Sequence, residues 1–500
     1  MILDLLENGN PSHPALIVAG GGPAVTYEQL RKQVDSVSAS LGKLGLGRGD
    51  RIAMALPNGL ETIVAFLAAS TVGTAAPLNP AYKTDEFDFY LKDTDARALI
   101  VPSTNSAEAR AAAGDKVLII EASLDADGVV QLSAAKSVGP ARAVEQPKPE
   151  DVALILHTSG TTSRPKRVPL AHANLLTSAR NVSATYKLTP EDVSLCVMPL
   201  FHVHGLVAST FATLFTGGTV VVPPRFNPLS FWATVRDHRA SWYSAVPTIH
   251  QVLLSRAKPG LKPAGSEHLR FIRSCSAALP PSMMADIEER FGAPILEAYG
   301  MTEAAHQMAS NPLPPGVRKP GSVGCGTSVS IAILNERGDE LPAGSIGEVS
   351  IKGPNVFSGY EGNPEANAAS FTNGWFRTGD QGQLDANGYL TLVGRIKELI
   401  NRGGEKISPR EIDEVLLDHP AVSEAVCFGV ADRIYGEEVA AAVVLSAPAT
   451  EAEILAHCSS SLSDFKCPKT IYILEAIPRT ATGKIQRRNV AAVVAKTSGP

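Results

Sequence analysis

Short apolar runs alternate with amphipathic stretches along most of the chain. Residues 51–56 form an apolar run typical of a strand, residues 61–72 have helical spacing, and residues 75–78 form a second apolar run. Strand, helix and strand in this order predict a βαβ unit. The alternation returns at residues 195–198, 206–215, 218–222, 240–254 and 271–273. Because no fixed-period repeat accompanies it, the pattern predicts an α/β chain with a large, mostly buried sheet.

The pattern changes character after Gly394. A charged stretch there leads into a segment with its own helices and strands, at residues 412–417, 424–430, 438–445 and 451–462. We therefore predict two domains, residues 1–396 and residues 397–500. A stretch rich in proline and charge, residues 137–151, is expected to separate two subdomains of the first.

Composition excludes several classes of protein. The 500 residues carry 45 Lys and Arg against 50 Asp and Glu, a net charge of −5, which argues against nucleic-acid and anionic-membrane partners. The six cysteines are scattered without a CxxC pair, so neither a zinc site nor a disulfide framework follows.

The chain shows no secretory leader, no apolar run of about 20 residues and no peroxisomal tripeptide. Its expected location is the cytoplasm.

The strongest chemical signal is the segment from Thr158 to Lys166, which follows the apolar run 152–156. It contains Ser159, Gly160, Thr161 and Thr162. Glycine permits close approach of backbone, hydroxyls donate hydrogen bonds, and lysine adds positive charge, a combination that suits polyphosphate. It is not a Walker A loop, because proline precedes the lysine. Taken alone, it could equally be a Ser/Thr-rich turn between two strands.

Further segments add complementary chemistry. In the segment 299–303, Tyr299 can stack on a purine, Thr302 can bond a phosphate oxygen and Glu303 can hold Mg²⁺. Asp380 and Arg395 suit ribose hydroxyls, and residues 478–485 present Lys484 on a turn of small residues. Each segment taken singly could be a solvated turn.

The order and spacing of these motifs over essentially the whole chain resemble the adenylate-forming enzymes, which include acyl-CoA synthetases, luciferase-like enzymes and peptide-synthetase adenylation domains. The chain is most similar to the plant and fungal oxalate–CoA ligases. The residues that carry this closer resemblance lie at 201–205, 245–251, 271–277, 304–308, 311–314 and 401–409. It implies an α/β fold with a large, multi-subdomain N-terminal domain and a small, mobile C-terminal domain.

The resemblance also implies roles for individual residues. The segment Thr158, Ser159, Gly160, Thr161, Thr162 and Lys166 would hold the β- and γ-phosphates of ATP. Tyr299 would stack on adenine, Thr302 would bond the α-phosphate and Glu303 would hold Mg²⁺. Asp380 and Arg395 would bind ribose, Lys397 would be the interdomain hinge, and Gly404 would lie beside the pantetheine of coenzyme A. Lys484 would bridge the carboxylate and the α-phosphate.

These roles imply an ATP-dependent, AMP-forming acid–CoA ligase. The acid would first form an acyl-AMP with release of pyrophosphate, and CoA would then displace AMP. The small domain would swing about Lys397 between the two steps. The implied partners are a small carboxylic acid, ATP and CoA, with no nucleic acid, membrane or obligate protein partner.

The predicted acid pocket is small and polar. Relatives that take bulky acids commonly have glycines where this chain reads Ser274-Cys-Ser-Ala-Ala. The resemblance implies that Ser276, His202 and His306 offer donors to a second carboxylate and that the acid is oxalate. His202 is also a predicted catalytic residue. Alternatively, His306 is a surface-facing helical histidine and Ser276 merely packs. Malonate, a medium-chain fatty acid and a hydroxycinnamic acid are the alternative acids.

Two features test this interpretation. His202 and His204 would share a face of a strand, but no third ligand is evident, so we do not predict a metal site there.

Arg167 stands where the resembled family usually has glycine. If that position needs a positive φ, arginine would strain the phosphate loop, and the chain could be a nucleotide-binding protein impaired in catalysis.

Overall fold

The computed structural model describes residues 1–158, 165–258, 260–479 and 485–497, without the side chains of residues 488 and 495–497. The predicted site residues Ser159, Gly160, Thr161, Thr162 and Lys484 lie outside the described residues. Within the described part, the strands form sheets of nine, seven, five and five strands, named here sheets A to D. No helix in this part is long and apolar enough to span a membrane.

Sheets A and B lie in the N-terminal part of the chain and are mainly parallel. The strands in chain order are β1 (Pro14–Val18), β2 (Ala24–Thr26), β3 (Arg51–Met54), β4 (Thr74–Pro77), β5 (Ala98–Pro102), β6 (Leu118–Leu124), β7 (Val130–Ser133), β8 (Val152–Thr158), β9 (Lys166–Ala171), β10 (Val193–Leu195), β11 (Thr219–Val222), β12 (Trp242–Ala245), β13 (Phe271–Ser274), β14 (Ile295–Met301), β15 (His306–Ser310) and β16 (Cys325–Gly326). The order in sheet A is β16-β15-β14-β13-β12-β10-β11-β1-β2, and in sheet B it is β7-β6-β5-β3-β4-β8-β9.

Helices cover these sheets. They are α1 (Tyr27–Lys43), α2 (Leu60–Val72), α3 (Thr84–Thr94), α4 (Ala107–Ala113), α5 (His172–Thr185), α6 (Ala212–Phe215), α7 (Phe231–His238), α8 (Pro247–Ser255) and α9 (Pro281–Phe291), with a π-helix at His204–Phe211 and 3₁₀ turns at Ile2–Leu6, Ser266–His268 and Thr302–Ala304. Helix α2 is apolar on nearly every side and almost wholly buried, as a helix inside a core must be. The predicted βαβ unit is confirmed, because β3 and β4 pair in parallel on either side of α2.

The remainder of the chain forms sheets C and D. Sheet C contains β17 (Ser330–Leu334), β18 (Gly347–Lys352), β19 (Phe371–Thr372), β20 (Trp375–Leu384) and β21 (Leu390–Arg395). Sheet D contains β22 (Ile400–Arg402), β23 (Glu405–Ile407), β24 (Val422–Asp432), β25 (Gly436–Leu445) and β26 (Thr470–Ile473). Helix α10 (Pro364–Ser370) belongs to the first group, and α11 (Pro409–Leu417), α12 (Glu451–Ser461) and α13 (Arg487–Thr497) accompany sheet D.

Apolar residues within 400–494 form cores of their own, separate from those formed by residues 2–390. Between the two groups lies the 3₁₀ turn Ile396–Glu398. The domain division at 396/397 stays a prediction, and it falls at this turn.

Candidate active site

The carboxyl ends of β12, β13 and β14 deliver the predicted site residues to one edge of sheet A. These strands are parallel neighbours, so their chain ends meet at the same edge, which is where open α/β sheets bind ligands. Ser276 follows β13, Tyr299 lies within β14, and the 3₁₀ turn Thr302–Ala304 follows it directly.

Tyr299, Asp380 and Arg395 form one connected group. Asp380 on β20 and Arg395 on β21 are cross-strand partners, and the Arg395 Nε lies 2.7 Å from Asp380 Oδ1. The buried Tyr299 hydroxyl donates to the other oxygen of the same carboxylate. Burial, together with the charge of Asp380, holds the pKa of Tyr299 well above its usual range, so the hydroxyl remains a donor. The three predicted adenosine-binding residues therefore lie in contact.

Glu303 lies beside a second group of polar residues. The Tyr360 hydroxyl donates to Glu303 Oε1 over 2.9 Å, and Lys166 Nζ lies 4.3 Å from the centroid of the Tyr360 ring. Burial raises the pKa of Glu303, an effect that the charges of Arg395 and Lys166 oppose. A buried carboxylate oxygen among such cations fits a divalent ion that carries phosphates, because Mg²⁺ prefers oxygen ligands.

Lys397 acts on the same region from the turn at 396–398. Burial lowers the pKa of Lys166, and the charge of Lys397 lowers it further, while Glu303 opposes both. A second ammonium group close enough to disfavour the charge of Lys166 suits a bound polyanion. The charge of the predicted hinge residue is therefore felt at the predicted phosphate-binding lysine.

The predicted acid pocket contains a residue that sequence reasoning missed. His204 begins the π-helix, and its Nδ1 lies 3.1 Å from the Ser276 hydroxyl oxygen. Its ring lies 5.1 Å from the ring of His306. Ser276 and His306 are therefore brought together through His204. His202 is adjacent, since its Nδ1 accepts from the His204 backbone N–H over 3.2 Å.

A second missed residue is Arg273 on β13, which is 0% exposed. Its guanidinium donates to the ring nitrogens His204 Nε2 and His306 Nδ1, at 3.4 and 3.3 Å. The signal for it was an arginine inside a run predicted to be a buried strand, because a fully buried charge is rare without a purpose.

The backbone around the pocket is strained. Ser276 has φ of 75° and His306 has φ of 113°, values that residues with a Cβ seldom adopt and that cluster at functional sites. Gly300 permits the close pairing of β14 with β15, since a Cβ there would lie 2.1 Å from the His306 carbonyl oxygen. The alternative of a surface-facing helical His306 is wrong, because His306 is 2% exposed and opens strand β15.

Two other expectations from the sequence are corrected. His202 and His204 do not share a strand face, because the chain winds into the π-helix at His204. Arg167 shows no strain, because it lies in strand β9 opposite His157 and has no positive φ. Its Nη1 donates to the Asp93 carbonyl oxygen over 2.5 Å. The physical ground for a catalytically impaired protein is thereby removed.

The remaining predicted residues lie in the C-terminal part. Gly404 is exposed in the turn between β22 and β23, with φ of 98°. Arg487 on α13 donates to Glu398 over 3.1 Å and also pairs with Asp413 on α11, which ties α13 to the turn that holds Lys397.

A polar edge on sheet A and a C-terminal part with cores of its own agree with the family comparisons. The family model for the AMP-binding enzyme matches residues 6–361, and that for the AMP-binding enzyme C-terminal domain matches residues 411–484. The chain belongs to the AMP-binding enzyme family. The predicted membership is confirmed.

Individual proteins of known name are similar to the chain over nearly its full length. The chain is 48% identical to an oxalate–CoA ligase of Arabidopsis thaliana, over 97% of this chain and 97% of the relative. It is also 48% identical to an oxalate–CoA ligase of Saccharomyces cerevisiae, over 90% and 88%. Among solved structures, ATP-bound MatB from Rhodopseudomonas palustris superposes with a TM-score of 0.88 at 32% identity, over 100% of this chain and 99% of that chain. The predicted fold, with a large N-terminal and a small C-terminal domain, is confirmed.

Proposed function

We propose that this protein is an ATP-dependent, AMP-forming acid–CoA ligase whose acid is oxalate. The observation that carries the choice of acid is the polar cluster at the edge of sheet A, in which the half-buried Ser276 meets the buried His204 and His306. Full-length similarity to ligases named for oxalate supports it. We keep the cytoplasm as the predicted location.

The chemistry follows from charge. A carboxylate is a poor acyl donor, and it must approach another anion, the α-phosphate of ATP, so positive charge is needed where negative charge accumulates. Lys166 and Arg395 lie near Glu303 and supply part of it. When bound, Mg²⁺ on Glu303 would neutralise phosphate charge. We assign the bridge between carboxylate and α-phosphate to Lys484.

The other predicted site residues would bind the phosphates, the adenosine and the acid. Thr158, Ser159, Gly160, Thr161, Thr162 and Lys166 would hold the β- and γ-phosphates, and Thr302 the α-phosphate. Tyr299, Asp380 and Arg395 would bind adenosine. Oxalate attacks the α-phosphorus and pyrophosphate leaves; the CoA thiol, guided past Gly404, then attacks the acyl carbon and AMP leaves. His202, Ser276 and His306 would face the distal carboxylate.

The pocket discriminates against longer acids by leaving donors unpaired. A hydrocarbon tail against a buried hydroxyl or imidazole N–H costs about 1–3 kcal/mol for each unpaired donor. Two such donors would disfavour a fatty acid by a factor on the order of 10² or more.

The test is CoA-dependent AMP formation with oxalate, malonate, acetate, a medium-chain fatty acid and a hydroxycinnamate. We expect the highest kcat/KM for oxalate. A higher value for the fatty acid or the hydroxycinnamate would overturn the choice of acid. AMP formation with none of the acids would overturn the ligase proposal itself.

A further inference from the structure

Arg273 is saturated with neutral partners. A guanidinium carries five N–H donors, and those of Arg273 reach five acceptors: the Tyr186 hydroxyl at 2.9 Å, Gln307 Oε1 at 3.1 Å, Ser244 Oγ at 2.9 Å, His204 Nε2 at 3.4 Å and His306 Nδ1 at 3.3 Å. No donor is left over for a ligand, so Arg273 acts on the pocket through its neighbours.

The charge of Arg273 has no carboxylate to balance it in the described part of the chain. Other arginines with little exposed side chain do: Arg377 pairs with Glu348, Arg402 with Glu438 and Arg487 with Asp413. A buried, unbalanced positive charge is costly. An anion that binds next to it recovers that cost, whereas a neutral group of the same shape does not.

Arg273, directly and through the Ser244 hydroxyl that accepts from it, favours one tautomer of each ring. Arginine only donates, so the nitrogens that face it must accept. In the neutral imidazole of His306, Nδ1 is then bare and Nε2 carries the hydrogen. In His204, Nε2 accepts from Arg273 at 3.4 Å and from the Ser244 hydroxyl at 2.6 Å, so Nδ1–H donates to the Ser276 oxygen over 3.1 Å. Because the Ser276 oxygen accepts from His204, the hydrogen of the Ser276 hydroxyl points away from His204 and can be donated to another acceptor.

We propose that Arg273 is a positioning residue that adapts the acid pocket to a dianion. It holds His204 and His306 in the tautomers that turn Ser276 and His306 into donors, and it places one unbalanced positive charge behind them. The proposal rests on the proposed function and extends it: the second carboxylate of the acid is selected by charge as well as by size.

The test compares two acids of one size with different charge. Oxamate replaces one carboxylate of oxalate by a neutral amide. In Arg273→Gln, we expect the kcat/KM for oxalate to fall about 30-fold or more, mainly through KM, because a buried charge partner is lost. The value for oxamate should fall much less, and Arg273→Lys should restore most of the preference for oxalate. KM for ATP serves as the internal control and should stay within about twofold in both variants.

Equal losses for both acids in Arg273→Gln would overturn the proposal, as would an unchanged preference for oxalate. If this variant does not fold, a measurement on the wild-type protein tests the proposal. Long-range ¹H–¹⁵N spectra of ring-¹⁵N-histidine protein, assigned with His306→Gln, should show His306 protonated on Nε2, and protonation on Nδ1 would overturn the proposal. A wild-type preference for a monocarboxylate would instead overturn the proposed function, and the same spectrum would still decide the tautomer.

Discussion

At the scale of single residues, Ser276 combines a strained backbone with a hydroxyl held by His204. Replacement by alanine keeps the Cβ at φ of 75° and removes only the hydroxyl. We expect KM for oxalate to rise about tenfold to a hundredfold, the size of one buried hydrogen bond, without a change in KM for ATP. Ser276→Gly should show the same kinetic loss with a higher Tm than Ser276→Ala, because glycine accepts positive φ.

A matched control lies two residues away. The Ser274 hydroxyl is buried and has no hydrogen-bond partner among the described residues, so Ser274→Ala should leave KM for oxalate unchanged. If Ser276→Ala also keeps the wild-type KM, the hydroxyl of Ser276 does not face the acid.

Glu297 on β14 predicts a pH dependence of stability. Its Oε1 accepts from the Leu279 N–H over 3.1 Å, and its Oε2 has no partner in the described part. Burial raises the pKa of Glu297 to about 7, although the charge of Arg410 opposes the shift. The folded protein therefore favours the protonated carboxyl. Its contribution to stability is complete below the ordinary carboxyl pKa and is lost as the pH rises through 7.

In Glu297→Gln this pH dependence should disappear. Between pH 5 and pH 8 the wild-type protein should lose on the order of 2–3 kcal/mol more unfolding free energy than the variant. Thermal unfolding of both proteins across this range measures the difference. Parallel curves of Tm against pH would show that Glu297 ionises in the folded protein as it does in water.

At the scale of elements, Arg167 connects strand β9 to the end of helix α3 through Asp93. Arg167→Gly should therefore lower Tm, because it removes this contact and places glycine in a strand, which alone costs about 0.5–1 kcal/mol. It should not raise kcat or lower KM for ATP. Arg167→Met separates the two effects, since it removes the contact and keeps a side chain in the strand. Faster turnover in Arg167→Gly would instead show that Arg167 strains the phosphate loop.

At the scale of the whole molecule, the two half-reactions should depend on different parts of the C-terminal segment. Lys484→Ala should slow acyl-AMP formation by at least about 10²-fold, the scale of one transition-state contact, and spare the reaction of pre-formed acyl-AMP with CoA. Lys397→Pro should do the reverse, because proline fixes φ at the turn 396–398 and hinders domain rotation. Pyrophosphate exchange and single-turnover thioester formation measure the two steps.

Lys397→Ala is the control for charge. The ammonium of Lys397 acts on Lys166, so its loss alone can change KM for ATP. The alanine variant removes this charge and leaves the turn free to rotate, so it should keep the thioester step. Equal losses in both half-reactions for Lys484→Ala, or full activity of Lys397→Pro, would contradict the proposal that the small domain rotates about Lys397 between the two steps.

The sequence alone determined much of the local structure and indicated which residues would bind the nucleotide. The βαβ unit around α2 was predictable because the apolar pattern of a helix or a strand lies within a few consecutive residues. Tyr299 and Glu303 are separated by four positions, so their common edge follows from a single strand and the turn after it. The order of the motifs was sufficient to indicate the family.

Only the tertiary structure decided which groups meet in the predicted acid pocket. Arg273, His204 and His306 come from β13, the π-helix and β15, and no local pattern records that their side chains meet. The same holds for Arg167, whose partner Asp93 is 74 residues away in the chain. Periodicity reports which face of an element is buried. It does not report which buried polar groups satisfy one another, because that depends on contacts between elements that are distant in sequence.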